Sequence, residues 1–116
     1  MQPLRQHNRH HEATRGSPHG ADYAASKAAL STWARSLALA VGPEGKRVNV
    51  LAPGYVDTDI LAGDSDSKRA QRIKEVPLKR IGTGDDMASI VSFLLSDDAA
   101  YITGAVLHAN GGLYLP

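Results

Sequence analysis

Two side chains that can move a proton stand four residues apart in a strongly helix-forming stretch. A helix would place Tyr23 and Lys27 on one face, one turn apart. A free tyrosine has a pKa near ~10 and exchanges protons poorly at neutral pH. A lysine ammonium beside it favours the phenolate, so the pair could pass a proton to or from an alcohol or carbonyl oxygen. The spacing alone does not establish this chemistry, because amphipathic surface helices produce the same pattern.

The helices that must position such a pair are indicated by composition and by capping residues. Asp22 can cap an Ala-rich helix, which Gly42 and Pro43 then stop. A short helix is predicted over residues 67–75. A second strong helix is predicted over about residues 85–95, where Thr83 can cap the amino terminus through its hydroxyl and acidic residues favour the first turn.

Two short strands are predicted, over residues 46–52 and 105–109. The first contains β-branched Val48 and Val50 and is broken by Pro53 and Gly54. Because a helix joins the two strands, they must be parallel if they pair. Parallel sheets occur almost only inside larger sheets, so this α/β order reads as part of a larger fold.

Composition excludes several functional classes. The chain has 116 residues, a net charge of +1 and no cysteine. These values predict one domain without disulfides or Cys-based metal sites, and they give no global electrostatic case for nucleic acid or an anionic membrane. No apolar run approaches the ~20 residues of a membrane helix. A cytoplasmic protein is expected.

Residues 1–21 show no periodicity and are interpreted as an unstructured His/Arg-rich leader. Clustered histidines can bind zinc or nickel weakly, but no acidic or Cys partners stand at a ligand spacing, so no metal site is expected. The histidines concerned are His7, His10, His11 and His19.

Two long stretches resemble the short-chain dehydrogenase/reductase family. A helix with the pattern YxxxK and a strand ending in PGxVxT occur in DYAASKAALSTWARSLALAVGPEGKRVNVLAPGYVDTD. A helix entry similar to PLxRxG and a final strand ending in GG occur in PLKRIGTGDDMASIVSFLLSDDAAYITGAVLHANGG. The resemblance implies that residues 22–116 are the carboxy-terminal part of such a domain. The implied fold is a partial Rossmann-like, doubly wound α/β sheet with two parallel strands and two main helices.

The same resemblance implies the roles of particular residues. Tyr23 would be the general acid/base, and Lys27 would lower its pKa and hydrogen-bond the nicotinamide ribose. The loop backbone would meet the nicotinamide carboxamide, and the threonine hydroxyl would reach the phosphate region of NAD or NADP. The implied cofactor-binding residues are Tyr23, Lys27, Pro53, Gly54, Val56 and Thr58.

Residues 59–78 match the family's variable substrate lid, and here the lid is basic. An acidic substrate or an acyl-carrier partner is one interpretation of this charge. The favoured interpretation is a solvated helix face, because acidic residues partly offset the charge. The basic residues are Lys68, Arg69, Arg72 and Lys74, followed by Lys79 and Arg80.

Two family features are absent from the sequence. No Gly-rich turn for the cofactor pyrophosphate precedes the helix, and the stretch RHHEAT around His10 and His11 stands where the family has its catalytic serine; Ser17 is too near Tyr23 to replace it. We therefore expect an NAD(P)-dependent oxidoreductase of alcohols or ketones that is truncated and inactive as an isolated chain, with cofactor binding by the chain alone in doubt. The alternatives are a non-catalytic fragment that associates with itself or with full-length relatives, and a gene remnant without function. A homo-oligomer, or association with related subunits, is expected.

Overall fold

The computed structural model describes residues 21–116. The predicted leader lies outside these residues except for Ala21, which is helical. Two single turns of 3₁₀-helix, Gly42–Glu44 and Asp97–Ala99, follow the first and the last helix. The main elements, in chain order, are α1 (Ala21–Val41), β1 (Val50–Pro53), α2 (Asp59–Ala62), α3 (Asp66–Glu75), α4 (Gly84–Leu95) and β2 (Val106–Ala109).

Strands β1 and β2 form a parallel pair, with Val50 opposite Val106 and Pro53 opposite Ala109. The predicted α/β class and the parallel pairing are confirmed. The predicted start of β1 at residue 46 is wrong, because the regular pairing with β2 begins only at Val50, and several hydrogen bonds before Val50 are made by side chains. Asn49 Nδ2 donates to the carbonyl of Ile102 at 3.0 Å, and its Oδ1 accepts from the amide of residue 105 at 3.1 Å.

Helix α4 begins as its capping residues predict. Thr83 Oγ1 accepts from the amide of Asp86 at 3.1 Å, while Asp86 Oδ2 accepts from the amide of Thr83 at 2.8 Å. Arg80 Nη1 donates to the same carboxylate at 2.6 Å, and this hydrogen bond holds the pKa of Asp86 well below its usual range. The predicted cap of α1 is placed differently, since Ala21 is already helical and Asp22 lies within the helix.

The apolar core lies between the segment after β1, the lid and the carboxy-terminal turn. Its central side chains are Tyr55, Leu61, Val76 and Ile81, with Ile73 and Leu113 packed against them. Among the described side chains of helix α1, the buried ones are small, Ala34 and Ala38, as its Ala-rich sequence favours. Its large apolar side chains Leu30, Trp33 and Leu39 are 47%, 60% and 81% exposed.

Candidate functional site

Helix α1 carries both predicted catalytic residues. Tyr23 and Lys27 are helical and four residues apart, so the backbone places them on one helix face. The arrangement of their two side chains lies outside what the structure describes. The acid/base role of Tyr23 and the supporting role of Lys27 therefore stay predictions.

The predicted cofactor loop begins where β1 ends. Pro53 is the last residue of the strand, and the amide of Gly54 donates to the carbonyl of Ala109 at 3.2 Å, next to the end of β2. A Cβ built on Gly54 would lie 2.6 Å from Asn110 Cβ and 3.0 Å from Asn110 Cα. The lack of a side chain at Gly54 is therefore required by the close approach of the two strand ends.

The rest of the loop is held by a second short parallel pairing, between Val56 and Gly82. Gly82 donates its amide to the carbonyl of Tyr55 at 2.9 Å, and its carbonyl accepts from the amide of Asp57 at 2.8 Å. Thr58 follows in an extended conformation and precedes α2; it is exposed, and its hydroxyl makes no capping hydrogen bond. Thr58 is therefore an exposed residue near the carboxyl end of β1, and its cofactor role stays a prediction.

The two loop positions outside the predicted set, Tyr55 and Asp57, contact the lid helix α3. The Tyr55 hydroxyl donates to Glu75 Oε2 at 2.6 Å, and the guanidinium carbon of Arg72 lies 5.1 Å from the centre of the Tyr55 ring. Burial, and then the hydrogen bond to Glu75, raise the pKa of Tyr55 to about 12. Asp57 accepts two hydrogen bonds from Arg69, at 3.2 and 3.3 Å.

Arg72 corrects the interpretation of the basic lid as a solvated face. Its side chain is only 2% exposed, and its Nε donates to Asp64 Oδ2 at 2.5 Å. Its Nη1 is buried with no hydrogen-bond partner in the part of the chain that the structure describes. Lys68 Nζ also lies 3.8 Å from Asp64, which precedes α3. The four-residue intervals from Asp64 to Lys68 and from Lys68 to Arg72 were the sequence signal of this cluster.

A cavity of about 710 Å³ opens between α4 and the carboxy-terminal segment. Apolar Leu78 and Ile90 line it together with His108 of β2. The His108 ring meets Tyr114 edge-on, with ring centres 5.7 Å apart, and burial lowers the pKa of His108. The amide of Leu78 donates to the carbonyl of Gly111 at 3.0 Å, so the end of the lid is fixed to the turn after β2.

Neither a membrane-spanning helix nor a metal cluster occurs among the described residues of the range 21–116. No helix in this range is long and apolar enough to cross a membrane. Among the side chains that the structure describes, no group of three or more His, Asp or Glu could hold a metal ion. The clustered histidines, His7, His10, His11 and His19, lie outside this range.

Comparison with known proteins gives consistent matches. A family model described as enoyl-(acyl carrier protein) reductase matches residues 9–114. The 3-oxoacyl-(acyl-carrier-protein) reductase FabG of Salmonella typhimurium is 47% identical over 102 residues, which cover 88% of this chain and 42% of that protein. Protein FixR of Bradyrhizobium diazoefficiens is 46% identical over 96 residues, covering 83% of this chain and 34% of FixR.

A solved structure agrees with the sequence matches. The short-chain dehydrogenase/reductase described as glucose/ribitol dehydrogenase from Brucella melitensis superimposes with a TM-score of 0.79 at 32% identity. The superposition covers 90% of this chain and 42% of that one. The chain thus spans less than half the length of these relatives.

Proposed function

The chain belongs to the short-chain dehydrogenase/reductase family, and we propose that it supplies the tyrosine–lysine part of an NAD(P)-dependent oxidoreductase site for alcohols or ketones. One observation carries the proposal. The helix with Tyr23 and Lys27 leads into a parallel strand whose carboxyl end bears the loop from Pro53 to Thr58. Ligands of doubly wound sheets bind at the carboxyl ends of the strands.

Each residue has a defined task in this proposal. Tyr23 donates a proton to the carbonyl oxygen during reduction and accepts it back during alcohol oxidation. Lys27 favours the phenolate of Tyr23 by its positive charge and binds the ribose of the cofactor. When bound, the nicotinamide supplies or takes up the hydride. The exposed hydroxyl of Thr58, which is not used as a cap, is suited to a phosphate oxygen.

The substrate is proposed only as a chemical class. The names of the relatives refer to 3-oxoacyl and enoyl groups on acyl carrier protein and to sugars. The 3-oxoacyl reductase and the glucose/ribitol dehydrogenase names share hydride transfer at a carbonyl or hydroxyl carbon. The proposed substrate is therefore a ketone or an alcohol, and the proposed location is the cytoplasm. The 47% identity to FabG favours a 3-oxoacyl thioester as the first substrate to test.

A chimera provides the test of this function. Residues 22–114 would replace the matching segment of Salmonella typhimurium FabG, and NADPH consumption with a 3-oxoacyl thioester would be followed at 340 nm. Tyr23→Phe should lower kcat about 10²- to 10⁴-fold, as expected for loss of a general acid. Tyr101→Phe, which alters a fully exposed tyrosine, is the matched control. Activity of Tyr23→Phe within a few-fold of the control would refute the assignment.

We also propose that the 116-residue chain by itself has no measurable NAD(P)-dependent turnover. Its sequence contains neither the Gly-rich turn nor the serine of the family pattern, and proton transfer requires a substrate fixed within hydrogen-bond reach. Purified chain would be assayed with NADH and NADPH on the same thioester. Turnover that disappears in Tyr23→Phe would contradict this proposal.

A second candidate function is association with itself or with related subunits. Leu30 and Trp33 are neighbours one turn apart on α1 and are 47% and 60% exposed, and exposed apolar surface of this kind can mark an interaction site. Sedimentation at micromolar concentration should show a dimer or larger species, and Trp33, the single tryptophan, should shift its emission to shorter wavelength on association. Trp33→Arg should restore the monomer. A monodisperse monomer of the unaltered chain would rule this candidate out.

A further inference from the structure

The segment from Tyr55 to Thr58 follows β1 and is held by the parallel bridge between Val56 and Gly82. Tyr55 and Asp57 contact α3. Val56 and Thr58, the residues that match the family motif, alternate with them along the chain. The same four residues form the proposed cofactor loop and the support of the lid.

Three side chains of α3 receive these contacts at a regular interval. Arg69, Arg72 and Glu75 are spaced three residues apart, so they follow one side of the helix. Arg69 binds Asp57, while Arg72 and Glu75 both contact Tyr55. The lid helix is thus attached, from Arg69 to its last residue Glu75, to two alternate positions of the loop.

The two attachments differ in strength. The Tyr55 side chain is 8% exposed, and its hydrogen bond to the carboxylate of Glu75 is short and charge-assisted. The Asp57–Arg69 pair is bidentate but exposed, with side-chain accessibilities of 49% and 38%. Water and salt weaken such a pair. Tyr55 should therefore contribute more than Asp57 to the attachment of the lid.

We propose that Tyr55 and Asp57 are positioning residues that attach the lid helix α3 to the cofactor loop, so that a shift of the loop moves the lid. The functional meaning of this attachment rests on the proposed function, since it assumes that Val56 and Thr58 meet the cofactor. The attachment itself depends only on the contacts described above. The attachment assigns a structural role to Tyr55 and Asp57, which occupy the two variable positions of the PGxVxT pattern.

Hydrogen–deuterium exchange of the full 116-residue chain tests the attachment directly. Tyr55→Phe keeps the ring and removes only the hydroxyl, so the amides of residues 66–75 should exchange about tenfold faster or more. Asp57→Asn should accelerate the same amides about two- to fivefold. Amides of α4 and of β2 should change little. Tyr101→Phe and Glu44→Gln are matched controls, because one alters an exposed tyrosine and the other an exposed ion pair with Lys46.

Rescue and spectroscopy separate positioning from a general loss of structure. The reversed pair Asp57→Arg with Arg69→Asp should regain at least half of the protection that either single change loses. Glu75→Gln should lower the pH at which the Tyr55 phenol ionises, followed by tyrosinate absorbance. Unchanged exchange of residues 66–75 in Tyr55→Phe, or equal acceleration throughout the chain, would overturn the proposal. If a variant unfolds, the same comparison is made in the FabG chimera.

This result does not depend on catalysis. Local loosening of the lid, together with a chimera in which Tyr23→Phe is fully active, would support the attachment and refute the proposed function. Unchanged exchange of the lid, together with a chimera that Tyr23→Phe inactivates, would refute the attachment and support the proposed function.

Discussion

Replacing Gly54 by alanine should strongly destabilise the chain, because the added Cβ meets backbone. It would lie 2.6 Å from Asn110 Cβ and 3.0 Å from Asn110 Cα, whereas two carbon atoms pack best at ~3.5–4.0 Å. Asn110 cannot turn away easily. Its Nδ2 donates to the carbonyl of Tyr114 at 2.8 Å, and its Oδ1 accepts from the amide of Gly112 at 2.9 Å.

Relief of this overlap requires the ends of β1 and β2 to separate. Overpacking of this kind costs about 1–3 kcal/mol. The separation also strains the 3.2 Å hydrogen bond from Gly54 to Ala109, which contributes about 1 kcal/mol. We expect the free energy of unfolding to fall by about 2–4 kcal/mol, a large part of the ~5–15 kcal/mol typical of native proteins.

Urea unfolding followed by far-UV circular dichroism measures this difference. Gly63→Ala is the matched control, because nothing lies within 4 Å of its added Cβ and its φ of −82° suits alanine. That control should leave stability unchanged or raise it by about 0.4–1 kcal/mol. Equal unfolding free energies for Gly54→Ala and Gly63→Ala would show that the two strand ends are not packed as described.

Two further predictions concern the lid and its tyrosine. Arg72→Ala should cost about 3–5 kcal/mol in urea unfolding, because it breaks a nearly buried ion pair in which the Arg72 and Asp64 side chains are 2% and 7% exposed. Arg69→Ala, at an exposed pair, should cost less than about 1 kcal/mol; similar costs for both would contradict the burial of Arg72. Folding raises the pKa of Tyr55 from 10.0 to about 12. The stabilisation of the fold by the neutral phenol is therefore fully present below pH ~10, and it is lost as the pH rises through 12. Between pH 9.5 and 12 the unaltered chain should lose up to about 3 kcal/mol relative to Tyr55→Phe, which has no phenol to ionise; a constant difference in thermal or urea unfolding would refute this.

The features that the sequence predicted well are local ones. Thr83 caps α4 as expected because its partner, Asp86, is three residues away in the chain. The parallel pairing followed from two strand-forming segments joined by a helix. Packing is less local, since in α4 Leu94 is buried whereas the next residue, Leu95, is 79% exposed. Periodicity gives the face of a helix but not the extent of the surface packed against it.

The features that the sequence did not reveal depend on distant partners. Arg72 belongs to the helix face that was interpreted as solvated because acidic residues partly offset its charge, yet Asp64 and Tyr55 contact Arg72 and its side chain is buried in the folded chain. The start of β1 was misplaced because Asn49 binds residues more than fifty positions away. Tyr55 and Asp57 stand at variable positions of the family pattern, so no motif indicated their contacts with the lid.

The pH dependence of kcat/KM in the FabG chimera tests the central claim most directly, because it reports the ionisation of Tyr23 in the free enzyme. If Lys27 tunes this residue, the ionisation should lie below the usual tyrosine pKa of ~10 and should rise towards that value in Lys27→Met. The Tyr23→Phe variant should lose this ionisation along with most of its activity. A profile that is the same with and without the Lys27 ammonium would contradict the account, since Tyr23 would then not be the proton donor that Lys27 supports.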